Sequence, residues 1–309
     1  MLPQYTIRTL TQADWDEVAE LICLSTNYWY QTHGHSRIFN CNPYDTRLFC
    51  EVYEDLDPGC CVLATHPKSG RIMGSCFYRK RQTHVSLGIM NVHPNHFGAK
   101  IASALLSEII QIADAASLPV RLVSSAMNLD SFSLYTRQGF RSIRCFQDMC
   151  VTVPAGGFDI PYHEGMIREA TLEDIPAMVD LEMELSGIHR EKDFRYFINN
   201  HRKIWHTSVS LDGDGQITGF LSSIAHPASN LLGPGCARNP DTAFHLILSE
   251  LNQHPGRSPV FLVPTDDAHL VSKLYGIGAR NCELHLAQVR GQAQPSRGIV
   301  MPTFMPETG

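Results

Sequence analysis

The stretch Leu87-Gly88-Ile89-Met90-Asn91-Val92-His93-Pro94-Asn95-His96-Phe97-Gly98-Ala99-Lys100-Ile101-Ala102-Ser103-Ala104-Leu105-Leu106 decides the fold. An apolar run passes through a turn of small residues into a helical pattern. A second apolar run, Val120–Ser124, then leads to Asn128-Leu129-Asp130-Ser131-Phe132-Ser133-Leu134-Tyr135-Thr136-Arg137-Gln138-Gly139-Phe140. The order is strand, turn, helix, strand, short helix: a βαβ unit whose first turn faces a helix N-terminus. Unpaired backbone N–H groups and the positive end of the macrodipole converge there. Such a turn suits a pyrophosphate. Gly88 inside the first strand predicts a bulge or a close backbone approach.

Around this unit the chain repeats itself. Ile7-Arg8-Thr9-Leu10-Thr11-Gln12-Ala13-Asp14 is echoed by Ile167-Arg168-Glu169-Ala170-Thr171-Leu172-Glu173-Asp174. In both, a short strand enters a helix through a Thr N-cap with an Asp three residues on, near the capping-box spacing. Gly70-Arg71-Ile72-Met73-Gly74 recurs as Gly215-Gln216-Ile217-Thr218-Gly219, and Leu106-Ser107-Glu108-Ile109 as Leu248-Ser249-Glu250-Leu251. Leu134-Tyr135 with Gly139-Phe140 recurs as Leu274-Tyr275 with Gly278-Ala279. Four matches in one order make a two-copy repeat a better account than chance; the period is too long for a solenoid. Pro154-Ala155-Gly156-Gly157 reads as the linker between the copies. Helices are expected over Gln12–Ser25, Gly98–Ala115 and Asp130–Gln138 in the first copy, with an irregular segment holding Tyr28, Trp29 and Tyr30. The second copy is expected to carry helices over Leu172–Leu185, Lys192–Asn200, Pro240–Asn252 and Asp267–Tyr275.

The layout resembles the coenzyme-A-binding core of the GNAT superfamily of acyltransferases, most closely in Asn128, Leu134-Tyr135 and Gly139-Phe140. The resemblance implies an α/β protein with two tandem GNAT-like domains, each a central twisted, mostly antiparallel mixed sheet flanked by helices. The boundaries are residues 1–154 for an acyl-CoA-binding domain, 155–165 for a linker, 166–290 for a degenerate second domain and 291–309 for a Pro-rich tail. The family's phosphate loop reads Gln/Arg-x-x-Gly-x-Gly/Ala. This chain has Phe97, Gly98, Ala99, Lys100, Ile101 and Ala102, so the last small residue is kept while Phe97 and Lys100 depart from the pattern. Lys100 adds charge toward a phosphate or crowds the loop.

By the same resemblance Met90, Asn91 and Val92 line the pantetheine arm, and a backbone N–H near Asn91 or Val92 polarises the thioester carbonyl. Asn128 and Ser131 contact the cofactor, and Tyr135 protonates the leaving thiolate as a general acid. From the residues alone, Tyr135 also fits a core tyrosine and Asn128 a helix cap. The strand Val85–Val92 carries no carboxylate, so candidate bases are the flanking His84, His93 and His96. The segment Tyr28–Asp45, with its aromatics and Arg37, either shapes an acceptor pocket or packs between domains.

The second copy departs further. Where its phosphate loop belongs it reads Gly233-Pro234-Gly235-Cys236-Ala237-Arg238-Asn239-Pro240-Asp241. Pro240 fits the first position of a helix, and Asp241 sets a carboxylate where a phosphate would dock. The expectation is a domain that keeps the fold without the cofactor.

The activity implied is acyl-CoA-dependent N-acyl transfer, with acetyl-CoA or another acyl-CoA as co-substrate, to an amine on a small molecule or peptide. The alternative is a non-catalytic acyl-CoA-binding or structural tandem protein. The chain has 309 residues and a net charge of −6. That balance argues against nucleic acid or an anionic membrane as the main partner. Neither a leader segment nor a membrane span is expected, which gives a cytosolic default for a monomer or homodimer. The ten cysteines are scattered, with no C-x-x-C spacing, so no metal is expected; His33, His35 and Cys41 lack a ligand pattern. The tail, with Phe304 and Met305 as apolar handles, is either disordered or docked on a domain surface.

Overall fold

A computed structural model describes residues 5–160 and 166–305. Residues 161–165 of the expected linker and 306–309 of the tail lie outside the described residues. The chain forms two compact units, divided between Val120 and Arg121.

The first unit contains strand β1 (Thr6–Thr9), helices α1 (Trp15–Thr32) and α2 (Arg47–Leu56), strands β2 (Cys61–Thr65), β3 (Ile72–Lys80) and β4 (Val85–Val92), and helix α3 (Ile101–Ala115). Its strands pair in the order β1-β2-β3-β4, each antiparallel to the next. Helix α1 runs further than expected: Tyr28, Trp29 and Tyr30 form its last turns instead of an irregular segment. No Gly or Pro interrupts it before Gly34, and Trp29 stacks on His33 with ring centroids 4.2 Å apart. Helix α2 is absent from the expected elements, yet Leu48, Phe49, Val52, Tyr53 and Leu56 fall on one buried face. The bulge expected at Gly88 is present. Cys76 opposes Met90 but Tyr78 opposes Leu87, so β4 carries one residue more than β3 across this interval.

The second unit contains β5 (Val120–Ser125), α4 (Leu129–Arg137), β6 (Arg141–Cys150), β7 (Met166–Glu169), α5 (Ile175–Ser186), α6 (Glu191–Asn199), β8 (Trp205–Leu211) and β9 (Ile217–His226). It continues with β10 (Ser229–Ala237), α7 (Pro240–Leu251), β11 (Val260–Pro264), α8 (Ala268–Gly276), β12 (Arg280–Arg290) and β13 (Ile299–Met301). The strand order is β5-β12-β6-β11-β10-β9-β8-β7, with β13 added against β10. The final strands of the two repeats are exchanged. β6 ends the first repeat but pairs with β11 of the second, from Val260 opposite Cys150 to Pro264 opposite Phe146. β12 ends the second repeat and lies between β6 and β5 of the first; the Ala126 N–H donates to Leu284 O at 2.8 Å. The compact units therefore divide at Val120 instead of at the linker between the repeats.

The repeated motifs have one physical role in each copy. The Arg8 guanidinium grips Asp14 with two bonds of 2.7 and 2.6 Å, and Arg168 grips Asp174 with two of 2.7 Å. Each Asp also accepts the N–H of the Thr that opens the turn. Gly74 and Gly219 let a helix sit directly on the sheet. A Cβ on Gly74 would meet Ile101 Cγ2 at 2.8 Å, and one on Gly219 would meet Leu246 Cδ1 at 2.8 Å.

The tail is docked. β10 pairs with β11 only at Leu231 and Leu232; beyond that point β13 pairs antiparallel with Gly235, Cys236 and Ala237. Glycines permit the approach: a Cβ on Gly235 would lie 3.0 Å from Met301 Cε and one on Gly233 2.7 Å from Pro302 O. Ile299, Met301 and Thr303 are buried, and the Phe304 ring lies 4.6 Å from that of His285.

Two outcomes follow. The Arg8 guanidinium beside Asp14 holds its carboxyl down at about 2, against 3.8 ordinarily. A depressed carboxylate stabilises the fold above the unfolded pKa and stops doing so as pH falls through the folded one. Asp14→Asn should therefore lower the urea midpoint at pH 6, with the difference from wild type shrinking between pH 3.8 and about 2; a difference independent of pH would contradict the ion pair. Met301→Ala should cost about 2–5 kcal/mol in the same measurement, and an unchanged midpoint would mean that β13 is not docked.

Candidate active site

Strand β4 ends on Met90, Asn91 and Val92. The His93 N–H donates to Met73 O at 2.8 Å, which phases the β3–β4 ladder. Hydrogen-bonded and non-bonded pairs alternate in an antiparallel ladder. Asn91, opposite Ser75, thus spends its N–H and C=O on β3, while Met90 and Val92, opposite Cys76 and Gly74, turn theirs away from it. Of the two candidates for a carbonyl-polarising N–H, the phasing favours Val92. The Asn91 side chain is buried and donates from Nδ2 to Ser25 Oγ at 3.3 Å and Thr26 Oγ1 at 3.2 Å on α1.

The loop into α3 is shaped by two left-handed residues, Gly98 (φ 79°) and Lys100 (φ 62°). Lys100 is the residue before the helix, which starts at Ile101 and not at Gly98 as expected. No side chain caps it and no acidic residue stands in its first turn. The first intrahelical bond runs from the Ala104 N–H to Lys100 O, so the N–H groups of Ile101, Ala102 and Ser103 precede the helical ladder. The Lys100 side chain is exposed, and no described residue forms an ion pair with it. Lys100 therefore adds a charge at this helix end. Ala99 follows Gly98 in the turn, and Ala102 keeps the first helical turn slim. Phe97 is half exposed and meets Tyr28 of α1 edge-on at 6.0 Å; this partner was not legible from the sequence, where the two residues stand far apart.

The three candidate histidines differ. His84 is fully buried, with Nδ1 2.9 Å from Thr83 Oγ1 and Nε2 2.9 Å from Ser86 Oγ, which makes it a structural residue. His93 accepts the Asn95 N–H on Nδ1 at 3.2 Å. His96 titrates below the ordinary histidine range because of partial burial, with His93 and His66 adding to the effect.

In the second unit Asn128 caps α4, accepting the Ser131 N–H at 3.0 Å. Its oxygen is committed to the cap. Tyr135 is buried on α4, its ring 5.8 Å from that of Phe140.

The corresponding helix start in the second repeat is closed. Asn239 caps α7 by accepting the Thr242 N–H at 2.8 Å, and Pro240 occupies the first position. Asp241 pairs with His269 at 3.0 Å and with Lys273, both on α8, and the Lys273 contact does most to hold its carboxyl below the ordinary range. Asn239-Pro240-Asp241 is readable as a cap in the sequence; the two α8 partners of Asp241, about thirty residues on, are not. β13 lies along β10 of the same repeat. A phosphate approaching α7 would meet a carboxylate already neutralised, whereas the start of α3 offers N–H groups and a lysine.

The chain was compared with known proteins. The model of the "Acetyltransferase (GNAT) family" matches residues 15–140, and that of an "Acetyltransferase (GNAT) domain" matches residues 178–297. No curated protein matches. Solved structures share the fold at low identity. A GCN5-related N-acetyltransferase from Sphaerobacter thermophilus aligns with TM-score 0.65 and 17% identity, over 96% of this chain and 98% of that one. A tandem GNAT protein from the clavulanic acid biosynthesis pathway aligns with TM-score 0.61 and 12% identity, over 94% and 100%. Saccharomyces cerevisiae N-myristoyltransferase with bound myristoyl-CoA aligns with TM-score 0.62 and 12% identity, over 96% and 81%. With both repeats matched, the chain belongs to the GNAT superfamily of acetyltransferases and carries two GNAT domains in tandem.

Proposed function

We propose that the first GNAT domain transfers an acyl group from acyl-CoA, acetyl in the simplest case, to a primary amine of a small molecule or peptide. The amine attacks directly within a ternary complex, and the second domain is a degenerate scaffold. The observation that carries this reading is the contrast between two equivalent helix starts. That of α3 has no side-chain cap, no acidic residue and an exposed Lys100; that of α7 is filled by Asn239, Pro240 and an Asp241 held by Lys273 and His269.

The residues present fit a bound acyl-CoA at the first site. Gly98 and Lys100 turn the backbone into the helix, and the N–H groups of Ile101, Ala102 and Ser103 with the Lys100 ammonium suit phosphate oxygens. Acyl-CoA supplies the activated thioester when bound. The chain supplies binding and orientation from Met90 to Ala102, a backbone donor at Val92, and Tyr135 as the proton donor to the departing thiolate. No covalent intermediate is required, so the buried cysteines have no part in the reaction. Asn128 and Ser131 support the cofactor from the start of α4.

Binding without turnover is the second reading, and the burial of Tyr135 favours it. Two variants decide. Lys100→Glu should weaken acetyl-CoA affinity by about tenfold or more, because it places a like charge beside the phosphates; unchanged affinity would remove the α3 site. Tyr135→Phe should lower kcat by roughly 10²-fold or more, the range of a lost general acid, with acetyl-CoA affinity largely kept. An unchanged kcat would remove Tyr135 from the proposed role, and no turnover in wild type across an amine panel would favour the second reading.

A further inference from the structure

Asp148 on β6 and Glu283 and His285 on β12 form a group that the acyl-transfer reading does not use. One ligand atom from each lies within 4.8 Å of the others. The pattern follows from strand geometry. Glu283 and His285 are two residues apart and share one face of β12, while Asp148 stands directly opposite Glu283 in the ladder. Two carboxylates in direct cross-strand opposition repel one another, and here both side chains are less than one-tenth exposed. Burial makes that opposition expensive unless a cation shares the space.

The histidine faces both carboxylates. Its Nδ1 lies 2.8 Å from Asp148 Oδ1 and its Nε2 3.9 Å from Glu283 Oε1, the second too long for a hydrogen bond. An imidazole binds one ion through one nitrogen, so the ion would take a single ring nitrogen with an oxygen from each carboxylate, all inside the 4.8 Å span of the group. The Phe304 ring, 4.6 Å from His285, adds an apolar neighbour to the group.

We infer that Asp148, Glu283 and His285 bind one divalent transition-metal ion, with two carboxylate oxygens and one imidazole nitrogen as ligands. That donor set suits Zn²⁺, Co²⁺ or Mn²⁺. The ion ties β6 of the first repeat to β12 of the second. Its role is structural, and it is independent of acyl transfer.

The full-length protein, stripped with chelator, should retain one Co²⁺ or Zn²⁺ per chain through gel filtration, and the loaded form should melt at a higher temperature. Chelator-stripped His285→Gln and Asp148→Asn should each bind the ion about tenfold or more weakly. The chain has 15 His and ten Cys, so metal retained equally by wild type and His285→Gln would overturn the assignment. So would wild type that retains none. If the variants do not fold, X-ray absorption of Zn²⁺-loaded wild type decides: one imidazole with oxygen ligands supports the site, and sulfur or several imidazoles overturns it.

Discussion

The structure depends on the exchange of the final strands. β6 leaves the first repeat to sit between β12 and β11 of the second, and β12 returns to lie beside β5 of the first. An edge strand presents a row of unpaired backbone groups, so each repeat covers with its own last strand an edge that the other repeat would leave open. The long register shared by β6 and β12, from Arg280 opposite Cys150 to Val289 opposite Arg141, makes the two copies interdependent in a way that a flexible linker does not. The Asp148, Glu283 and His285 group lies within this pairing.

Within this frame the same local fold is used in two ways. In both repeats a glycine on the second strand of the hairpin, Gly74 or Gly219, allows a helix to press onto the sheet. The helices then begin differently. α3 enters through two left-handed residues with no side-chain cap, whereas α7 is capped by Asn239 and its Asp241 is paired with Lys273. An Asp in the first turn stabilises a helix through the macrodipole, and Asp241 holds that place in α7.

Much of this was legible in the residues. The hydrophobic periods locate most strands and helices, the Arg-Thr-Asp echo marks both N-termini, and Gly88 anticipates the bulge. What remained hidden depends on distant partners. The aromatic run Tyr28-Trp29-Tyr30 looks irregular because its rings face solvent and one another, not a core stripe, yet the backbone stays helical. α2 follows a turn-rich segment and packs on α1, a tertiary choice that local pattern understates. The strand exchange cannot be read at all, since β6 offers the same alternation to either neighbour. The candidate site was legible as a loop, a tyrosine and Asn128 as a cap; the commitment of Asn91 to α1 was not, because its partners Ser25 and Thr26 stand 66 and 65 residues away.

The central claim is that only the first of the two domains holds acyl-CoA. Isothermal titration of the intact chain with acetyl-CoA counts the sites directly. One site per chain is the expected result. Two would mean that Asp241 and β13 do not close the second domain, and none, with longer acyl-CoAs also failing to bind, would contradict the account.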